Sequence, residues 1–104
     1  MQQIPTTNSV TVSVDRDFVA DRRVRKIVVV DADVDITLPR DVLIGHDVRV
    51  VAAAGDVFVH APDTIVGSDA DGDYMVPRGS QVEFTFTYDR CNRSRQWIPF
   101  GGRP

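Results

Sequence analysis

The residues able to do chemistry in this 104-residue chain are few: one cysteine, two histidines, two aspartate clusters and a short basic run. Cys91 stands beside Arg90 and Arg93, whose charge favours a thiolate, yet no neighbouring residue type supplies the base that a nucleophilic cysteine needs. With no second cysteine in the chain it could pair only between chains, and an ordinary thiol in a reducing compartment is the simpler reading. His46 and His60 are far apart and form no His-x-x-x-His spacing that would set two imidazoles on one metal, so each reads as a surface or hairpin histidine. Asp31, Asp33 and Asp35, and then Asp69, Asp71 and Asp73, resemble calcium ligands in spacing. The helix-loop-helix calcium loop requires Gly at position 6 and Glu at position 12. From Asp69 those places hold Tyr74 and Ser80, and from Asp31 they hold Ile36 and Val42. Solvated turn aspartates are therefore expected, with an irregular oxygen-ligand site in residues 68–73 the one alternative left open. No Gly-x-Ser-x-Gly elbow, phosphate loop or differentiated carboxylate pair is present. The expectation is a protein that is not an enzyme and has no catalytic residue, metal or cofactor.

Charge composition agrees with work done through surfaces. Nearly all acids are Asp and nearly all bases Arg, with Glu83 and Lys26 the sole exceptions, and the net charge is −3. Asp favours turns over helices and strands. A net negative chain is a poor match for phosphate backbones, so nucleic acid is not an expected partner. No apolar stretch approaches the roughly 20 residues that span a bilayer as a helix, so no membrane partner is expected either. Arg22, Arg23, Arg25 and Lys26 form the one basic run, and Arg90, Arg93 and Arg95 a possible second patch. Both suit a solvated face or a docking patch for an acidic protein surface.

The elements that would hold these groups follow a period of two, the spacing at which side chains alternate between the faces of a sheet. Val10, Val12 and Val14 alternate with Thr11 and Ser13. Ile27 to Val30, within residues 25–31, is a β-branched run that reads as a strand buried on both faces. Val34, Ile36 and Leu38 alternate up to Pro39, which removes a backbone donor. Val48, Val50 and Ala52 precede a tight turn over residues 53–56, in which Gly55 offers a positive φ, and Val57 and Val59 follow, so a hairpin is expected here. After a turn-rich stretch interrupted by residues 74–76, Val82, Phe84 and Phe86 form the clearest one-faced strand, and residues 96–100 with Trp97 close the chain. Residues 15–25 suit a single helical turn or a polar loop. The whole reads as one all-β domain, a small β-sandwich or barrel-like fold of short strands, with residues 1–24 as an N-terminal arm and first strand and residues 25–104 as the β-rich module.

The order of signals from Ile36 onward resembles a recurring module of tailed-bacteriophage fibres, tailspikes and head-decorating proteins. It is carried by Ile36-Thr37-Leu38-Pro39, Gly45 with the strand Val48 to Val51, Val57-Phe58-Val59, and Asp63-Thr64-Ile65-Val66-Gly67. Pro77-Arg78-Gly79-Ser80, the strand Val82 to Phe86 and Trp97 with Gly101-Gly102 complete it. The sequence departs from the pattern at residues 92–96, where a Gly before the Trp is expected, and residues 1–30 fall outside it. The resemblance implies short β-sandwich or β-helical units that associate as homotrimers. In it Leu38 and Pro39 end a strand, Ile65 plugs the core, Gly67 permits a sharp turn, and Phe84, Phe86 and Trp97 belong to the core or trimer contact. Taken as a whole protein, the chain carries no fibre shaft, which favours a stand-alone decoration or cement protein. Such a protein would be made in the host cytoplasm and bound to the capsid exterior of the virion, with the major capsid protein as partner. Gln2, Gln3, Ile4 and Thr6 of the polar arm, with Arg22, Arg23, Arg25 and Lys26, are the expected capsid contacts. The runner-up is a tail-fibre or tail-tip component binding a host-surface glycan or protein, with Tyr74 and Tyr88 as aromatic platforms, and a third class is a cellular β-sandwich adaptor unrelated to virions.

Overall fold

The computed structural model describes residues 10–101, which form ten strands and no helix. These are β1 (Val10–Val14), β2 (Phe18–Val19), β3 (Val24–Val29), β4 (Val34–Thr37), β5 (Asp47–Ala52), β6 (Val57–His60), β7 (Thr64–Ile65), β8 (Tyr74–Val76), β9 (Gln81–Asp89) and β10 (Ser94–Gly101). They build a 6-stranded sheet in the order β1-β3-β5-β9-β10-β7 and a 4-stranded sheet in the order β2-β4-β6-β8. The class is all-β, as composition and periodicity indicate.

The path of the chain differs from a meander. Strands β1, β3 and β5 are parallel neighbours in the large sheet, and β2, β4 and β6 are parallel neighbours in the small one. Each of β1, β3 and β5 is followed by an arch into the small sheet, and the chain then returns to begin the next coil. Parallel strands need a crossover, and here the strand of the opposite sheet supplies it. In both sheets the step from the second coil to the third is 23 residues, since Lys26 pairs with Arg49 and Val34 with Val57. Antiparallel strands complete the body: β9 lies between β5 and β10, and β8 lies on β6.

The hairpin expected over residues 48–59 is therefore absent: β5 and β6 lie in different sheets, joined by an arch. The alternation is the same in either arrangement, because Val48, Val50, Ala52, Val57 and Val59 are all fully buried and face one another across the core. Gly55 does not take a positive φ. It is needed for close approach, because a Cβ there would lie 2.5 Å from Ala32 Cβ and 2.7 Å from Ala32 Cα. Ala32 is the residue one coil earlier, so the two arches stack directly. Three further expectations are corrected. Residues 15–25 hold β2, whose Phe18 and Val19 pair with Ile36 and Thr37. In β3 one face is buried through Ile27 and Val29, whereas Val28 is half-buried and Val30 exposed. Thr64 and Ile65 form a short strand inside the turn-rich stretch.

The core lies between the sheets and is aliphatic toward the parallel coils, with Phe84, Phe86 and Trp97 toward β9 and β10. Each such side chain contributes about 1.5–3 kcal/mol on burial. The many aspartates organise the arches and turns around it. Asp17 Oδ1 accepts from Asp35 N–H at 2.9 Å, Asp56 Oδ1 from Arg78 N–H at 3.0 Å, and Asp89 Oδ1 from Cys91 N–H at 2.9 Å. The hydrogen bonds to Asp89, from the Asn92 amide first, hold its carboxyl below the usual carboxylate range.

Candidate functional site

Because β1, β3 and β5 run in one direction, the segments that enter them share one end of the molecule: Val10, residues 20–23 and residues 38–46. Strand β9 runs against β5, so its last residues and the turn into β10 return to that same end. The two basic patches separated in sequence, Arg22 to Lys26 and Arg90 to Arg95, thus flank one rim of the large sheet. Only β5 stands between β3 and β9, a gap of about 10 Å at the usual strand spacing. Arg22, Arg23, Arg25, Arg90, Arg93 and Arg95 are exposed and Lys26 is half-buried. Arg23 lies 3.5 Å from Asp21, an exposed pair of little energetic weight.

The loop entering β5 sets an apolar tip on this rim. Leu43 is 84% exposed and Ile44 66% exposed. The loop is held by backbone hydrogen bonds: Gly45 N–H to Phe86 C=O at 2.8 Å, His46 N–H to Leu43 C=O at 3.0 Å, and Phe86 N–H to His46 C=O at 2.9 Å. Gly45 has φ +95°, where a side chain would be strained. Leu43 and Ile44 are thus two adjacent aliphatic side chains presented to solvent on a hydrogen-bonded loop.

Behind this tip, Trp97 is fully buried. Its ring centroid lies 5.1 Å from that of Phe86 and 6.3 Å from that of His46, whose plane meets it at 83°. His46 is half-buried rather than a surface side chain. Burial pushes its pKa below the ordinary value of 6.5, Arg25 adds to the shift, and Asp47 opposes it. Neither His46 Nε2 nor Trp97 Nε1 has a hydrogen-bond partner among the described residues.

His60 ends β6 in a different setting. Its Nε2 lies 3.4 Å from Asp35 Oδ1, and its Nδ1 lies against Asp73 Oδ1 without hydrogen-bond alignment. A polar groove of 640 Å³ runs beside it, lined in part by Asp63, Ser68, Asp71, Ser94 and Arg95. Both ring nitrogens face carboxylates. The imidazole links β4, β6 and Asp73, the residue just before β8. In the adjacent loop Asp69 Oδ1 accepts from the N–H of Asp71 and of Asp73, both at 2.9 Å, which commits that carboxylate to the turn. Among the described residues no three His, Cys, Asp or Glu side chains are grouped to hold a metal ion.

Of the residues singled out in the sequence, Gln2, Gln3, Ile4 and Thr6 lie outside the described residues. The described chain starts at the basic rim with Val10, which donates to Arg23 C=O at 3.2 Å. Leu38, Pro39, Ile65, Phe84, Phe86 and Trp97 are buried, and Gly67 has φ +84° in the turn after β7. Cys91 is exposed in the β9–β10 turn. Sequence reasoning passes over Leu43 and Ile44, whose signal is two adjacent aliphatics inside a turn segment that runs from Arg40-Asp41 to Gly45. No protein-family model matches this sequence, and no curated protein matches it either.

Proposed function

We propose that the chain is a non-enzymatic structural protein of a tailed-bacteriophage virion that decorates or cements the outside of the capsid as a homotrimer, with the major capsid protein as its partner. The order of signals from Ile36 to Gly102 motivates the family, and the stacked β coils agree with the β-helical units of such modules. The observation that carries the docking surface is the rim itself, where exposed Leu43 and Ile44 stand among the arginines that enter β3 and leave β9. An apolar centre within a basic border suits an acidic shell surface: the centre supplies affinity and the border steers encounter. Repetition of a modest contact over many sites and around a threefold axis would then give stable occupancy.

The test is co-sedimentation with purified capsids stripped of accessory proteins. Wild-type protein should saturate a fixed number of sites, Leu43→Asp with Ile44→Asp should lose binding while keeping the wild-type melting temperature, and deletion of residues 1–9 measures the arm. Binding by the double variant equal to wild type would remove the rim from the proposal, and no binding by wild-type protein would remove the capsid role. Of the two tyrosines that the tail-fibre or tail-tip alternative would use, Tyr88 is exposed whereas Tyr74 packs edge-on against Phe84 with ring centroids 5.4 Å apart.

A further inference from the structure

We infer that β1 is a pairing edge for a second copy of this chain, joined antiparallel about a twofold axis beside Val12. Four strands form the sheet edges among the described residues, and three are blunted. Strands β2 and β7 have two residues each, and β8 has three, set between Asp73 and Pro77. Strand β1 has five residues, Val-Thr-Val-Ser-Val, with no charge and no proline. Sheet proteins protect an edge of this kind unless another strand covers it.

The backbone directions define the register. Val10 N–H donates to Arg23 C=O at 3.2 Å, and Val14 C=O accepts from Val30 N–H at 2.9 Å, both on the β3 side. Strand alternation turns Val12 the same way and leaves the N–H and C=O of Thr11 and Ser13 on the side that no strand among the described residues covers. The segment reads nearly the same in both directions about Val12. Antiparallel pairing on that centre sets Thr11 of each copy opposite Ser13 of the other, each pair exchanging two backbone hydrogen bonds, and sets Val10 opposite Val14. The valines then continue the core face of the large sheet across the axis, covering Val10, which is 40% exposed.

Charge selects this orientation. Arg22, Arg23 and Arg25 outnumber Asp21 at the Val10 end of the edge, and Asp15, Asp17 and Asp31 outnumber Arg16 at the Val14 end, all exposed. An antiparallel twofold contact places the basic end of each copy on the acidic end of the other, whereas a parallel contact would oppose like charges. This twofold contact combined with the proposed trimer would give six copies.

Native mass and sedimentation equilibrium of the full chain at about 100 µM test this independently of any capsid. The expected species hold two or six copies, and raising NaCl from about 50 to 500 mM should weaken them by screening the end charges. Thr11→Lys with Ser13→Lys sets lysine against lysine across the axis and should weaken the pair at least about tenfold with no change in melting temperature. Thr11→Lys with Ser13→Glu sets lysine against glutamate and should restore it. Wild-type protein found only as one or three copies overturns the inference, as does a pair on which the two double variants act alike.

Discussion

Replacing Gly55 by alanine tests the stacked arches directly, because the two ways of connecting β5 to β6 predict opposite signs. In a hairpin Gly55 would sit in a solvated turn. Its φ is not positive, so Ala would then stabilise by about 0.4–1 kcal/mol through the unfolded chain. In the arch, the new Cβ would stand 2.5 Å from Ala32 Cβ and 2.7 Å from Ala32 Cα. Carbon atoms settle at about 3.5–4.0 Å, so the two arches have to part by about 1 Å. Overpacking of this kind costs about 1–3 kcal/mol, and subtracting the unfolded-state gain leaves a net loss of about 1–2 kcal/mol. For a domain of this size that lowers Tm by roughly 5–15 °C. Urea denaturation of Gly55→Ala, Ala32→Gly and the double variant would measure both the loss and its source. Ala32→Gly removes the nearer contact and leaves the one to Cα, so rescue in the double variant should be partial, with a coupling of about 0.5 kcal/mol or more. A Gly55→Ala protein as stable as wild type, or more stable, would refute the stacking of the arches.

Phe84→Ala should cost about 3–5 kcal/mol in urea denaturation, because Phe84 is fully buried and packed edge-on by Tyr74, and a loss below about 1 kcal/mol would contradict that packing. His46 gives stability a defined pH dependence. Above 6.5 the imidazole is neutral in both states and has no effect; as pH falls below that value the unfolded chain binds the proton first, and the folded state loses stability until its own lowered pKa is passed. His46→Gln should flatten the fall in urea midpoint between about pH 7 and pH 5, and a variant with the wild-type slope would show that His46 is not its source.

Much of the local structure is legible in the residue order. Period two marks β1, β4, β5, β6 and β9, since one buried face on a pleated strand dictates the alternation whatever its neighbour. The aspartates mark the turns because a short carboxylate accepts the backbone N–H groups that a turn leaves unpaired, as Asp69 and Asp89 do. Strands β2 and β7 escape notice because two residues are too few to show a period, and their pairing depends on Ile36, Thr37, Gln96 and Trp97 far along the chain.

The sequence by itself determined that the chain would be β, where most strands would lie, and which side chains would be inward, because those properties depend on a residue and its near neighbours. Tertiary structure alone decided which strands became neighbours. Val48 to Ala52 and Val57 to Val59 have the same alternation in a hairpin as in an arch, and the choice between them rests on pairings to β3, β4, β8 and β9. That choice also assembled the candidate site. Parallel coils bring every strand-entry loop to one end, so the Arg22 and Arg90 regions and the Leu43–Ile44 tip, up to nearly 70 residues apart in the chain, share a single rim.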